Sequence, residues 1–237
     1  MRIDIWSDVV CPWCYIGKRR LERALAARDD VEVVYHSFQL DPSTPREDAQ
    51  SQSVAEHLGE KYGGGAAAGQ AMIDRVEAVA AEEGLLFRLR EAKRGNTLDA
   101  HRVLHLALEQ GGPELQGTVK EGLLASYFLE AGNPADHDVL TRIATAAGVH
   151  PTRTREVLAG NEFADAVETD LRQAVAYGAT GVPFFVIDGR YGISGAQPTE
   201  VFEQALRQAD REAGRLVAVG GEPDGDPATC GPDGCAI

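Results

Sequence analysis

Two cysteines separated by two residues, Cys11-Pro12-Trp13-Cys14, are the side chains of this sequence best equipped for chemistry. A pair at that spacing can close a disulfide, exchange it with another thiol, or supply half of a tetrahedral zinc site. A cysteine at the mouth of a helix is favoured as the thiolate, the attacking form, by unpaired N–H groups and the helix dipole. Pro12 suits the first helical position because its missing N–H would be unpaired there anyway, which puts Cys11 at the mouth and Cys14 one turn along. Exposure then orders the pair: Cys11 attacks and Cys14 resolves. A second pair, Cys230 and Cys235, encloses the turn sequence Gly-Pro-Asp-Gly beyond the Gly/Pro/acid-rich linker GGEPDGDP. It reads either as an auxiliary redox pair exchanging with Cys11 and Cys14 or as incidental thiols. Four thiolates would make a zinc site, but the first pair follows a strand and opens a helix, whereas zinc clips sit on turns.

The elements that must position the first pair are strand, helix and strand. Arg2 to Trp6 alternates apolar Ile3 and Ile5 with other residues, and Val31 to Phe38 is rich in Val, Tyr and Phe. Between them, from Pro12 to about Arg28, Cys14, Gly17, Leu21, Ala24 and Leu25 recur at helical spacing. The block that follows carries helical stripes and no strand pattern: Met72/Val76/Val79/Ala80, Leu98/His101/Leu104/His105/Leu108, Leu115/Val119/Leu123 and Val139/Leu140/Ile143/Ala147. Gly63-Gly64-Gly65 interrupts it as a mobile connection and Gly111-Gly112-Pro113 as a turn between helices. A helix from Phe163 to Tyr177 then leads into the strand Phe184 to Ile187, a tight Asp188-Gly189 turn, a strand from Arg190 to Ile193, and a helix opened by Pro198. A βαβ unit and a ββα unit separated by helices predict one small mixed sheet with a helical insertion.

A second signal is Thr180-Gly181-Val182-Pro183-Phe184-Phe185, where a proline stands immediately before a strand, a position suited to a special turn rather than a ladder residue. Beside a helix-borne CxxC it is similar to the cis-proline loop of thioredoxin-like proteins, which places Val182 opposite the cysteines. SDVVCPWCYIGKRRLE, HSFQLDP, NTLDAHR, YGATGVPFFVIDG and YGISGAQP resemble the FrnE-like branch of the DsbA family up to about Ala213. The resemblance implies an α/β (α+β) thioredoxin fold with an inserted all-helical domain. Residues 1–40 and 162–213 form the thioredoxin-like domain, 41–161 the insertion, and 214–237 a flexible tail carrying the second cysteine pair. It further implies thiol-disulfide exchange at Cys11 and Cys14, a cis Pro183, and a substrate surface made of Pro12, Trp13, Val182 and Pro183. Partners would be protein disulfides or dithiols, or glutathione as a co-substrate, with no organic cofactor and no metal. The same broader family includes the 2-hydroxychromene-2-carboxylate isomerases and kappa-class glutathione transferases, which typically carry Ser where this chain has Cys11. A glutathione-dependent isomerase or transferase is therefore the alternative enzyme, and a non-enzymatic binding module is the alternative of another class. Direction of exchange, substrate and oligomeric state are left open.

Weaker signals accompany these. Asn96, His101 and Arg102 either border the cleft above Cys11 or cap and pair locally. His101 and His105 share a helix face at metal-ligand spacing without a HExxH pattern, which is usually structural. Trp6 reads as a sheet-packing residue and Trp13 as an exposed rim. In bulk, 237 residues at 43% hydrophobic and 25% charged can bury a sizeable core. A net charge of −14 argues against nucleic acid and anionic membrane partners. The N-terminus MRIDIWSDVV lacks the basic start and apolar run of a signal peptide, and no segment has the ~18 apolar residues of a membrane span, so a cytoplasmic protein is expected.

Overall fold

A computed structural model describes residues 1–46 and 52–213. Strand β1 (Arg2–Ser7) leads through the CxxC segment into helix α1 (Pro12–Leu25) and strand β2 (Glu32–Ser37), the predicted strand, helix and strand. The closing elements are β3 (Phe184–Ile187), β4 (Tyr191–Ser194) and helix α8 (Thr199–Ala213). One mixed sheet results, in the order β2-β1-β3-β4. β1 runs parallel to β2, with Ile5 opposite Tyr35, and antiparallel to β3, with Ile5 opposite Phe185. Asp188 and Gly189 take the left-handed φ values of 47° and 67° expected of the turn joining β3 to β4.

Period-two alternation gives the sheet two apolar faces. Ile3, Ile5, Phe185 and Ile187 pack on one side against Leu21 of α1 and Phe202 and Leu206 of α8. Trp6, Phe184 and Val186 pack on the other against Ala174 of helix α7 (Ala164–Ala176). Trp6 is 1% exposed and its indole N–H donates to the Asp170 carbonyl at 2.9 Å, so it is the sheet-packing residue its sequence suggested.

Between β2 and α7 lie helices α2 (Val54–Tyr62), α3 (Gly65–Glu82), α4 (Leu98–Glu130), α5 (His137–Ala147) and α6 (Pro151–Ala159). The expected stripes lie on α3, α4 and α5, whereas α2 and α6 went unread. Gly63, Gly64 and Gly65 form a tight turn of three successive residues at positive φ. That turn folds α2 back on α3 so closely that a Cβ on Gly59 would stand 2.0 Å from the Gly65 carbonyl oxygen. Gly111 and Gly112 leave helical geometry and break α4 into two segments, the second opened by Pro113. The first segment packs with α5 and α6, while Leu124, Tyr127 and Phe128 of the second pack with α3 and with Tyr15 and Ile16 of α1. Charge reinforces this docking. The basic run of α1 is paired with the helical block, Lys18 and Arg19 to Glu121 and Arg20 and Arg23 to Glu83. Among the described residues no helix is long and apolar enough to cross a membrane.

A polar cluster seals α7 to the edge strand. His36 donates to Asp170 and to Asp4, both at 2.8 Å, and stacks on Trp6 at 4.4 Å. Burial opposes the imidazolium, but the two carboxylates outweigh it and raise the His36 pKa to about 9. Such a group contributes stability that is complete below its unfolded value of about 6.5 and is lost as pH rises through about 9. Urea unfolding of wild type and His36→Gln is therefore expected to show a gap of about 2–3 kcal/mol at pH 6 that closes by pH 10. A gap of constant size would refute the charge assignment.

Candidate active site

Cys11 is the N-cap residue of α1, extended at φ −88° and ψ 113°, with Pro12 in the first turn and no acidic residue there to oppose a thiolate. The Cys14 amide donates to the Cys11 carbonyl at 3.0 Å, closing the first turn, and both cysteines are free thiols. Exposure does not order the pair, contrary to the sequence reading, because each residue is only 3% exposed. The helical block roofs over the mouth of α1, which residue spacing alone cannot reveal. What separates the thiols is the side they face. Cys11 borders a cavity of about 610 Å³ and Cys14 does not. Cys14 is instead enclosed by protein on the first turns of α1, where Tyr15, Ile16 and Lys18 are also buried. Burial pushes the Cys14 thiol well above its ordinary pKa, and Cys11 beside it adds to the effect.

The loop before β3 meets Cys11 as expected. The Val182–Pro183 peptide bond is cis, and the Cys11 thiol lies 3.5 Å from the Val182 carbonyl oxygen, its acceptor. Gly17 makes this approach possible, since a Cβ there would stand 3.1 Å from Pro183 and 3.2 Å from Phe185. Gly17→Val is expected to lower stability by about 1–3 kcal/mol through overpacking, measured by thermal unfolding. A variant as stable as wild type would show that the loop yields freely.

Helices α2 and α3 supply much of the cavity wall through Val54, Leu58, Met72 and Val76, and Thr180, Gly181 and Val182 face them. Trp13, 43% exposed, stands at its rim as predicted, with Pro12 beside it. Lys61, Arg75 and Arg94 bring positive charge to a largely apolar lining. Asn96, His101 and Arg102 do not border the cavity. Asn96 accepts from the Leu98 amide at 2.8 Å at the start of α4, and Arg102, fully buried, binds Asp99 and the carbonyls of Val157, Gly160 and Glu162. The capping and pairing alternative is realised for Asn96 and Arg102, whereas His101 stands behind the cavity wall, bonded to Asp8, which lines it. His101 and His105 serve separate carboxylates, Asp8 at 3.2 Å and Asp170 at 3.0 Å. Cys230 and Cys235 lie outside the described residues.

Two buried ionisable groups beside the cysteines escaped the sequence reading. Asp8, 1% exposed, accepts from the Val9 and Leu40 amides at 2.7 and 2.8 Å and pairs with His101. Burial favours the neutral acid, yet His101, the Leu40 amide and the nearby Lys120 charge hold its pKa below the ordinary value, so Asp8 is a carboxylate. Burial lowers the pKa of His101, which donates from Nε2 as the neutral imidazole. Lys120 of α4 is also buried, at 1% exposure. The signal available for Asp8 was its place three residues before Cys11. Lys120 sits beside the Val119/Leu123 stripe, where a lysine ordinarily reads as solvated.

Comparison with known proteins places these features in context. Residues 2–207 match the family described as DSBA-like thioredoxin domain. A probable DsbA oxidoreductase from Streptomyces coelicolor, solved by crystallography, is 45% identical, superposes with a TM-score of 0.84, and is matched over 100% of this chain and 99% of its own. The cytosolic disulfide reductase DsbM from Pseudomonas aeruginosa shares the fold at 18% identity and a TM-score of 0.61, over 90% of this chain and 100% of its own. YwbO of Bacillus subtilis, described as uncharacterized, is 26% identical over 90% of this chain and 98% of its own length.

Proposed function

Because the chain belongs to the DSBA-like thioredoxin domain family, we propose that it is a thiol-disulfide oxidoreductase in which Cys11 is the nucleophile and Cys14 the resolving thiol. The observation that carries this reading is the position of Cys11 at the N-terminus of α1, facing both the cavity and the carbonyl before cis Pro183. Cys11 thiolate attacks a substrate disulfide and forms a mixed disulfide, the leaving thiolate taking a proton from water. Cys14 then attacks Cys11, releases the second substrate thiol and closes the Cys11–Cys14 disulfide, and the reverse sequence oxidises a dithiol.

Pro12, Trp13 and Val182, which line the cavity, form the substrate surface in this reading together with cis Pro183, with Trp13 as an apolar contact at the rim. Partners are protein disulfides or dithiols, or a small thiol such as glutathione, which suits a cavity within the usual size range of small-molecule sites. We assign the chain to the FrnE-like branch and to the cytoplasm, with no organic cofactor required. Cys230 and Cys235 are proposed as an auxiliary pair that exchanges with the first. Cysteine rather than serine at position 11 favours redox chemistry over glutathione-dependent isomerisation. Reduction of insulin disulfides by dithiothreitol tests the proposal. Acceleration by the wild-type protein that Cys11→Ser lacks supports it, and a rate equal to dithiothreitol alone overturns general disulfide exchange.

A further inference from the structure

Behind the end of β1 lies a buried cation that forms no salt bridge with a described residue. Lys120 Nζ donates one long hydrogen bond to the Ser7 carbonyl, 3.4 Å, and stands 5.7 Å from the centroid of the Tyr35 ring. Its neighbour Glu121 is turned to Tyr15, Lys18 and Arg19 instead. An ammonium carries three donors, and burying one without compensation costs several kcal/mol, about what a folded protein can least spare. The groups acting on it are Ser7 and Asp8 from the end of β1, Cys11, Cys14 and Lys18 from α1, Tyr35 from β2, and His101 on α4. Cys14, Asp8 and Cys11 favour the ammonium and Lys18 opposes it. Asp8 is already held by His101 and two amides. The Asp8 charge acts on Lys120 in either redox state, whereas the thiolate charge is present only when the dithiol is reduced.

We propose that Lys120 is a positioning residue for disulfide exchange: its buried ammonium is the counter-charge for the thiolate that develops on Cys11 and Cys14, and so sets how readily their disulfide is reduced. The proposal rests on the oxidoreductase reading and adds to it the group that tunes the pair. In the resolving step Cys14 gives up its proton, its sulfur bonds to Cys11 Sγ, the bond from Cys11 to the partner breaks, and the departing thiolate takes up the proton. Two electrons and two protons from an external dithiol, such as dithiothreitol, return the disulfide to the dithiol. Lys120 leaves this balance unchanged. Its charge favours the thiolate-bearing reduced form over the neutral disulfide, so its removal makes the pair harder to reduce.

The test equilibrates wild type, Lys120→Met and Lys120→Arg with mixtures of reduced and oxidised glutathione and measures the dithiol fraction by thiol alkylation. Lys120→Met is expected to shift the equilibrium constant about tenfold toward the disulfide, about 30 mV for two electrons, with Lys120→Arg closer to wild type. Burial lowers the Lys120 pKa to about 8, so the gap between wild type and Lys120→Met narrows above that pH. A side chain that merely filled space would give a gap independent of pH. An unchanged constant in folded Lys120→Met, or a gap that does not vary with pH, overturns the proposal. If Lys120→Met does not fold, ¹³C NMR of lysine-labelled wild type decides. Linkage requires the Lys120 titration midpoint to lie higher in the reduced than in the oxidised protein, and equal midpoints overturn the assignment. A wild type that never equilibrates with glutathione, yet reduces insulin, sinks neither reading alone, so the same fractions are then read against dithiothreitol. Failure to exchange with either thiol overturns the oxidoreductase reading and this proposal with it.

Discussion

Cys11→Ser is expected to reduce insulin no faster than dithiothreitol alone, while Cys14→Ser is expected to stop halfway and accumulate a mixed disulfide. The two outcomes differ because the thiols occupy different surroundings. Cys11 caps α1 and borders the cavity, so it is the sulfur a substrate meets. Serine keeps a similar shape there but cannot enter a disulfide, so every later step is lost. Cys14 is enclosed by protein and burial holds its thiol protonated, which delays its attack until Cys11 is occupied. Without Cys14 the substrate stays bonded to Cys11, and mass spectrometry reads the adduct directly. Equal adduct in both variants would contradict the assigned order.

Arg102→Ala is expected to cost about 3–5 kcal/mol of stability, because it leaves buried acceptors and part of the Asp99 charge without their partner. Arg102 is fully buried and binds three carbonyls besides Asp99, joining α4 to α6 and to the segment ahead of α7. Asp99 also holds Arg46 and His137, so it loses one partner of three. For a chain of this size the unfolding midpoint should fall by roughly 6–20 °C. At a temperature where the variant is folded, insulin reduction should match wild type, since neither Arg102 nor its partners line the cavity. A variant of normal stability with impaired exchange would restore the cleft reading of Arg102.

Much of this was legible in the sequence because its strongest signals are local. Pro12 behind Cys11, Pro183 before two phenylalanines, and Asp188-Gly189 between two short apolar runs each fix backbone geometry within a few residues. Helix α2 was missed because nine residues give periodicity too little length to register. Its usable sign was the Ser53/Glu56 capping box, which is present in the structure. Helix α6 is as short, and only Pro151 at its start and Gly160 at its end mark it. The burial of Cys11 and the roles of Asp8 and Lys120 were not legible for another reason. Each depends on how the helical block closes against α1, a long-range contact that no residue spacing encodes.

The order of the strands also governs how the protein is made. β1 and β2 come from the start of the chain, yet β1 must lie between β2 and β3, with Ile3 opposite Ile187. A ribosome adding about 5–20 residues per second takes roughly 10–30 s to pass from Cys11 to Val182. Through that interval the nascent β1 has one unpaired edge; the helical block that roofs its cysteines emerges part-way, and the loop carrying Val182 only at the end. Synthesis halted anywhere before Val182 leaves a dithiol without the loop that meets Cys11. The reactive pair is thus built well before the segments that shelter it.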